Sequence, residues 1–426
     1  MSHKVLMFGW EIPPHNSGGL GVACHGIIKA MSQQGDDITF VLPRPMESDQ
    51  EITNLVFAKD NSHDISYTQS SEIKVIVHSF DSILSPYLTT QAYEYEFQKT
   101  SHLNENKSRI YAPNLVEEVQ RYAQVVDKIP NINEFEVIHC HDWLTVPAGI
   151  RAKELTGKPL FIHIHATEMD RTGGWCNQEI FDIEKMGMEQ ADHIIAVSDF
   201  TKQSIINNYG IDSNKIEIIH NGIDYHQHTK DPVDSHLRSR LQNLKNAGYQ
   251  IVLFTGRLTF QKGVDYLLEA AKKALMFNPK SLFIITGSGD MEQALIRQAS
   301  ELKISDRVIF TGFLRGKELK SLYDIADLFV MPSVSEPFGL VALESAIANT
   351  PVLISKQSGV SEVMSNSLKV DFWDVDDMAD KMVAVLEYEG LKQTLTQLAH
   401  NEVKELSWHK AVDKMKNLYR QFIFKS

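Results

Sequence analysis

Apolar and polar positions alternate along this chain in the order that is typical of parallel α/β domains. Short apolar runs predict strands, and the segments between them, with apolar residues three and four positions apart, predict helices. Strands are predicted at residues 5–8, 38–42, 73–78, 137–141, 160–165, 193–197, 251–255, 282–286, 308–310, 328–331 and 352–354. The principal helices are predicted at residues 21–33, 144–155, 264–274, 341–348 and 408–422, and another begins at 292. This succession predicts parallel sheets that are covered by helices.

The pattern divides near the middle of the chain. The turn sequence Asn221-Gly222-Ile223-Asp224 is followed by a polar segment without strand signals, up to about residue 245. Because 426 residues are too many for one core, we predict an N-terminal Rossmann-like domain at 1–222 and a C-terminal one at 223–407. Residues 408–426 are predicted to form a helix that crosses back to the first domain. The predicted fold class is α/β, with two α/β/α domains and a cleft between them.

Composition narrows the classes of function. A content of 43% hydrophobic and 23% charged residues is that of an ordinary globular protein, and the formal charge of −13 disfavours non-specific nucleic-acid binding. The three cysteines, Cys24, Cys140 and Cys176, lack the spacing of a disulfide framework or a thiolate zinc site. The N-terminal residues contain no long apolar segment, so we expect no integral membrane segment and a cytoplasmic location.

The most informative element is a pair of glutamates, Glu336 and Glu344, that bracket a predicted helix start. The backbone N–H groups of Phe338, Gly339 and Leu340 would lie at that start, where unpaired donors and the helix dipole attract phosphate. Glu336 would face the group that is attached to the phosphate, and Glu344 would accept hydrogen bonds from hydroxyl groups such as those of a ribose. This layout predicts a sugar-nucleotide site, whereas the alternative is a solvated helix with two surface carboxylates.

Cationic and glycine-rich loops follow two other predicted strands. Arg257 and Lys262 come after the first strand of the second domain, at the edge where open α/β sheets bind ligands. The planar guanidinium and the compact ammonium group suit a diphosphate whose leaving-group charge needs stabilisation. Gly18 and Gly19 follow the first strand of the chain, and glycine lets the backbone approach a ligand closely. Surface ion pairs and a simple turn are the plainer interpretations of the two loops.

Two His-x-His pairs end predicted strands of the first domain. His139 and His141 precede Asp142, and His163 precedes His165. Strand alternation places each pair on one face of the sheet, so a metal site, as in a metallohydrolase, is a possible alternative. We expect no metal, because a metallohydrolase would make no use of the glutamate pair or of the cationic loop.

The sequence Asp374-Val375-Asp376 matches the acidic string of metal-dependent glycosyltransferases. It precedes a predicted helix, however, and acidic residues are favourable in a first helical turn. We therefore predict a helix start and not a metal site.

Taken together, these motifs resemble a retaining glycosyltransferase of the glycogen/starch synthase and sucrose synthase type, from glycosyltransferase family four, "group 1". The resemblance spans nearly the whole chain and implies the GT-B fold. The motifs occur in the family's order: the Gly-Gly-Leu loop, His-Asp-Trp at 141–143, the histidine at 165, the Asn-Gly-Ile-Asp turn, the Gly-Arg…Lys-Gly run and the two glutamates with seven residues between them.

The resemblance also implies roles for individual residues. His165, Asp142, Arg257, Lys262 and Glu336 would be the catalytic set, with His165 near the donor sugar, Asp142 on the acceptor side, Arg257 and Lys262 on the diphosphate, and Glu336 on sugar hydroxyls. The phosphates of the donor would also contact Gly18 and Gly19, and the donor would contact the helix start at Phe338, Gly339 and Leu340. Its ribose would contact Glu344, and its base would lie near Phe313. The nucleoside-diphosphate sugar would be a co-substrate, and no other cofactor is implied. In this family the departing phosphate is thought to help deprotonate the acceptor.

One position departs from the pattern of bacterial glycogen synthases. They usually carry a lysine two residues before the paired glycines, where this chain has Asn16. The leading prediction is transfer of a hexose, most simply glucose from ADP- or UDP-glucose, to a saccharide acceptor. The alternatives are transfer to a lipid, a cell-surface polysaccharide precursor or a small metabolite, and a non-catalytic sugar-nucleotide-binding scaffold.

Overall fold

A computed structural model describes residues 2–12, 18–42, 55–59, 75–79, 114–174, 176–225 and 236–423. Asn16, where the sequence departs from the glycogen synthase pattern, lies outside these ranges. Within them, the strands form two sheets in which every described pairing is parallel.

The first sheet has eight strands in the order β3-β4-β2-β1-β5-β6-β7-β8. Its central strands are buried along almost their whole length, as expected for a sheet that is covered on both faces. The strands are β1 (Lys4–Phe8), β2 (Asp37–Leu42), β3 (Leu55–Lys59), β4 (Val75–Ser79), β5 (Val137–His141), β6 (Leu160–Ile164), β7 (His193–Ala196) and β8 (Ile216–Ile218).

The second sheet has six strands in the order β11-β10-β9-β12-β13-β14. Its core contains Phe254, Phe283 and Leu328, all completely buried. The strands are β9 (Gln250–Thr255), β10 (Ser281–Thr286), β11 (Val308–Gly312), β12 (Leu328–Met331), β13 (Val352–Ser355) and β14 (Leu368–Val370).

Helices connect these strands and cover the sheets. Those before the second sheet are α1 (Gly19–Gln33), α2 (Leu115–Ala123), α3 (Val146–Thr156), α4 (Glu168–Thr172), α5 (Gln178–Gln190), α6 (Asp199–Ser204) and α7 (His236–Asn246). The later ones are α8 (Val264–Phe277), α9 (Glu292–Glu301), α10 (Gly316–Ile325), α11 (Leu340–Ile347), α12 (Val375–Glu387), α13 (Glu389–Lys404) and α14 (Trp408–Ile423). Among the helices that the structure describes, none is both long and apolar enough to cross a membrane.

The strand order creates one switch point in each sheet. β1 lies between β2 and β5, and β9 lies between β10 and β12. The chain leaves the two neighbouring strands at such a point in opposite directions, which opens a crevice at their carboxyl ends. The loops after β1, β5, β9 and β12 therefore define where a ligand would bind.

The sequence pattern predicted most of these strands closely, although it did not predict β3, β8 or β14. Every predicted strand is present within about two residues of its expected bounds, because long apolar runs between polar turns are strong signals. Helix α11 begins at Leu340, one residue earlier than expected, since Gly339 caps it at φ 110°. Asp374 caps α12 and accepts a hydrogen bond from the backbone N–H of Asp377, so the expected acidic helix start is confirmed. Helix α7 lies at the end of the segment that we had expected to be a linker.

The chain crosses between the two sheets at two adjacent points. The backbone N–H of Ile223 donates to the carbonyl of Leu406 at 2.9 Å, and a Cβ on Gly222 would lie 2.3 Å from the backbone nitrogen of Trp408. Beyond this point α14 runs along the first sheet, where Lys416 forms a 2.8 Å ion pair with Asp36. The residue bounds of the two domains stay a prediction.

Candidate active site

The cleft side of the second sheet holds a partly buried ion pair. Lys262 follows β9 and Glu336 follows β12, so the two loops of the switch point bring them together. The Lys262 ammonium lies 2.5 Å from Oε2 of Glu336, and the Ser333 hydroxyl donates to the same oxygen at 3.2 Å. Glu336 is only 8% exposed. The structure thus places a cation and a carboxylate, both predicted for the donor, in direct contact.

Two glycines allow the loops around this pair to approach. Gly263 ends the short turn 260–262 at φ 63°, and a Cβ there would lie 2.1 Å from the carbonyl oxygen of Pro332. Gly339 has φ 110°, and a Cβ would lie 2.9 Å from the Met331 side chain. Both positions require glycine because a side chain would meet both backbone strain and a neighbour.

Helix α11 carries the second glutamate of the motif. Phe338, Gly339 and Leu340 lie at its start, as predicted, and Glu344 lies in its second turn. The Tyr323 hydroxyl donates to Glu344 at 2.9 Å, and burial raises the pKa of this carboxyl to about 7 although that hydrogen bond opposes the shift. Leu340 and Glu344 line a cavity of about 50 Å³ between α11 and α1.

Helix α1 faces this helix from the first domain. Gly18 is its N-cap residue, and Gly19 is its exposed first residue. A Cβ at Gly19 would meet nothing within 4 Å, so packing within the protein does not require glycine there. The open space is consistent with close approach of a ligand to the first turn of α1.

A residue that sequence reasoning missed, Glu11, lies against that same turn. Its Oε1 accepts a hydrogen bond from the Gly21 N–H at 2.6 Å, whereas Oε2 is buried and has no hydrogen-bond partner among the described residues. Burial raises the pKa of Glu11 to about 7, an effect that the Gly21 bond and the charge of Arg257 reduce. The only signal in the sequence was a glutamate between the first strand and the paired glycines.

Asp142 lies at the carboxyl end of β5 in an unusual backbone conformation. Its φ of 56° with ψ of 178° is rare for a residue other than glycine and costs on the order of 1–3 kcal/mol. Its Oδ1 accepts from the His165 N–H at 2.7 Å and from the Ala166 N–H at 3.4 Å. Asp142 is 3% exposed, and burial raises the pKa of its carboxyl to about 7. The carboxyl group therefore fixes the loop after β6, where the sequence had predicted only a side chain aimed at the acceptor.

The two His-x-His pairs merge into one cluster because β5 and β6 are neighbours. His141 pairs in register with His163, and the His163 and His165 rings stack with centroids 4.2 Å apart. His165, which is partly exposed, places Nε2 2.9 Å from Nδ1 of His141. Burial lowers the pKa of His139 and of His165 to about 3, so these imidazoles are neutral near pH 7.

The loop that carries His165 is braced by a buried arginine. Arg171 donates to the carbonyl oxygen of Ala166 at 2.7 Å and pairs with Glu168 and Glu184. Two hydrogen bonds from one guanidinium to the loop and to α5 limit the movement of the loop backbone. The His165 backbone is thus held from both sides, by Asp142 and by Arg171.

Direct hydrogen bonds join the two domains across the cleft. Ser335, the residue before Glu336, donates to Oδ1 of Asp170 at 3.0 Å. The Ser198 hydroxyl donates to the carbonyl oxygen of Pro337 at 2.6 Å. These contacts place the glutamate loop of the second domain against the loops after β6 and β7.

Two further residues that were predicted for the donor follow strands of the second sheet. Arg257 comes directly after β9 in the switch-point loop, and its charge acts on Glu11 across the cleft. Phe313 follows the edge strand β11, two strands from β9, and is 60% exposed. The roles assigned to these residues stay predictions.

Comparison with known proteins identifies the class. Residues 17–227 match the family described as Glycosyltransferase Family 4, and residues 237–402 match Glycosyl transferases group 1. The chain belongs to these group 1 glycosyltransferases, and its activity is therefore glycosyl transfer between a nucleotide-sugar donor and an acceptor.

Full-length relatives agree with this assignment. An uncharacterized glycosyltransferase of Methanocaldococcus jannaschii is 27% identical over 98% of both chains. Glycogen synthase of Mycobacterium tuberculosis is 28% identical over 85% of this chain and 80% of the relative. The structure of Anabaena HepE, solved in complex with UDP and glucose, superposes with a TM-score of 0.70 at 19% identity, covering 98% of this chain and all of that one. The fold is GT-B, as predicted.

Proposed function

We propose that this protein is a retaining glycosyltransferase that moves glucose from a nucleoside-diphosphate glucose to a saccharide acceptor. The observation that carries the proposal is the contact between Lys262 and Glu336 at the switch point of the second sheet. A cation beside a nearly buried carboxylate offers one partner for a phosphate and one for sugar hydroxyls. The start of α11 and Glu344 continue the same surface toward a ribose.

The arrangement suggests how these residues would act. Arg257 and Lys262 would hold the diphosphate, and their charge would stabilise the phosphate as it leaves. Glu336 would accept hydrogen bonds from sugar hydroxyls, and the first turn of α1 at Gly19 would close over the phosphates from the other domain. Since the two cations supply the charge, we propose that the diphosphate needs no divalent metal.

The acceptor would bind on the side of the first domain. Asp142 and His165 lie at the ends of two adjacent strands, and the Asp142 carboxylate fixes the His165 backbone. In this proposal the acceptor hydroxyl passes its proton to the departing phosphate, so positioning contributes most of the rate. The glycogen synthase relative supports a glucan acceptor, and the HepE complex supports UDP-glucose among the donors.

The proposal places the reaction in the cytoplasm. The three cysteines are free, and Cys24 and Cys140 are buried. A reducing compartment would keep them as thiols.

A donor and acceptor panel tests the proposal. Purified protein would be incubated with ADP-, UDP- and GDP-glucose, each with a malto-oligosaccharide or without acceptor, and the released nucleoside diphosphate would be measured. We expect acceptor-dependent release with ADP- or UDP-glucose. A lack of release with all donors in the presence of the saccharide, together with activity on a lipid acceptor, would contradict the proposed acceptor class.

A further inference from the structure

The histidine cluster under the cleft has more unpaired nitrogen atoms than the proposed reaction uses. His139, His141 and His163 are all 0% exposed. Four of their ring nitrogens are buried without a hydrogen-bond partner among the described residues: Nε2 of His139, Nε2 of His141, and Nδ1 and Nε2 of His163. Buried polar atoms are almost always paired, so such a concentration calls for an explanation.

The three histidine rings lie near one another. Each of the three histidines offers one ring nitrogen to a group whose atoms all lie within 4.8 Å of one another. The ring centroids are 4.6 Å apart for His139 and His141, and 5.4 Å apart for each of them with His163. Two histidines on β5 and one on the adjacent strand β6 therefore lie close enough together to share one ion.

The other nitrogens of two rings are already engaged. Nδ1 of His139 pairs with the Tyr419 hydroxyl on α14, and Nδ1 of His141 pairs with Nε2 of His165. Metal-binding histidines typically use one nitrogen for the ion while the other is held by a hydrogen bond that fixes the ring. These outer contacts leave Nε2 as the available ligand atom of both residues.

We propose that His139, His141 and His163 form a buried binding site for a divalent transition-metal ion of the Zn²⁺ class. Neutral imidazole is a preferred ligand of Zn²⁺, Co²⁺ and Ni²⁺, and this set contains no carboxylate that would favour Mg²⁺ or Ca²⁺. Three histidines would supply three of the four ligands of a tetrahedral ion.

The ion would have a structural role under the reaction centre. β5 ends at His141, directly before Asp142, and β6 ends just before His165. An ion bound to both strands would lock these two ends together. Its ligands are fully buried under the cleft, so the site is separate from the diphosphate and does not replace the charge of Arg257 and Lys262.

A second group of ligand atoms provides a competing location. Cys24, His141 and His165 also have atoms within 4.8 Å of one another. In that group Nδ1 of His141 and Nε2 of His165 are already bonded to each other. Binding through these two nitrogens would break this contact, whereas each histidine of the first group has an unpaired ring nitrogen among the described residues.

Metal analysis of full-length protein tests the proposal. Wild type and variants would be dialysed against Zn²⁺, passed through a desalting column and analysed for zinc by mass spectrometry. We expect about one ion per chain in wild type and almost none in His163→Gln or His139→Gln. His193→Gln is the matched control, because His193 lies on the adjacent strand β7 and also has a buried unpaired Nε2, but lies outside the cluster. It should retain the ion.

Other outcomes would overturn the assignment. Wild-type protein that binds no zinc, or zinc that is retained equally by all the variants, would contradict it. Loss of zinc in Cys24→Ser with retention in His163→Gln would place the ion in the competing group. If the histidine variants do not fold, the visible spectrum of wild-type protein loaded with Co²⁺ tests the site without them. Co²⁺ in a tetrahedral nitrogen site absorbs intensely in the visible range, so a lack of absorption would refute the site.

Discussion

The ammonium group of Lys262 lies 2.5 Å from the carboxylate of Glu336, and 74 residues of chain separate the two. The two residues therefore form an ion pair where the loops after β9 and β12 diverge. A donor phosphate would take over part of the charge of Lys262, and sugar hydroxyls would take over part of the hydrogen-bonding capacity of Glu336. In the proposed function, the pair would act as a preformed receptor for the two ends of a sugar phosphate.

Replacement of Lys262 by alanine should lower kcat by about 10²–10³-fold, the loss typical for one stabiliser of transition-state charge. Donor affinity should fall less, because part of the contact strengthens only as the phosphate leaves. Steady-state kinetics at saturating acceptor would measure both values. Lys273→Ala is a control, since Lys273 forms a similar 2.5 Å pair with the exposed Asp376. An unchanged kcat with a raised KM would indicate ground-state binding only.

His165→Ala and Asp142→Asn should lower sugar transfer steeply and leave nucleoside-diphosphate binding within a few-fold of wild type. The physical reason is that both residues belong to the first domain, whereas the diphosphate is predicted to bind the second. Calorimetric titration of the nucleoside diphosphate, run beside transfer assays, separates the two effects. Wild-type transfer by both variants would contradict the assignment, as would a parallel loss of binding and activity.

Glu11→Gln should change how stability depends on pH. The folded pKa of Glu11, about 7, is above the ordinary value of 4.5, so its contribution to stability is full below pH 4.5 and is lost as the pH rises through 7. The glutamine carbonyl can still accept the Gly21 hydrogen bond but cannot ionise. From pH 5 to pH 8 the variant should therefore gain up to about 3 kcal/mol relative to wild type.

Urea unfolding at the two pH values measures this change. Glu154→Gln is the control, because the Glu154 side chain is 61% exposed. A free-energy difference between Glu11→Gln and wild type that stays constant from pH 5 to pH 8 would show that Glu11 is not desolvated as described.

Turnover should persist in excess EDTA, because Arg257 and Lys262 supply the charge that a metal would otherwise provide at the diphosphate. Initial rates with and without chelator would be compared, and bound zinc would be measured in the same samples to follow the histidine cluster separately. Abolition of transfer by EDTA, with recovery on addition of Mn²⁺ and no change in bound zinc, would show that the diphosphate requires a metal.

The fold was predictable because its signals are local. Apolar runs such as β5 and β12, bounded by polar turns, report strands directly, and the order of strands and helices predicts parallel sheets. The neighbour of each strand is not a local property. For this reason the two His-x-His pairs were recognised as separate motifs, whereas the adjacency of β5 and β6 merges them into one cluster.

The sequence indicated candidate site residues but not the contacts between them. The sequence indicated Lys262 and Glu336 for one ligand, yet their mutual pairing depends on loops that fold from distant parts of the chain. Glu11 was missed because its importance comes from burial against the first turn of α1, which no spacing rule reports. The positive φ of Asp142 is likewise a result of contacts that form only in the folded sheet.

The central claim is tested most directly by following the transferred sugar. ADP- or UDP-glucose and a malto-oligosaccharide would be incubated with the protein, and proton NMR would follow the anomeric signals of the donor and the first product. We expect an α-linked glucose on the saccharide, formed in equal amount with the nucleoside diphosphate. A β-linked product would contradict retention, and release of free glucose without any transfer would contradict the proposed saccharide acceptor.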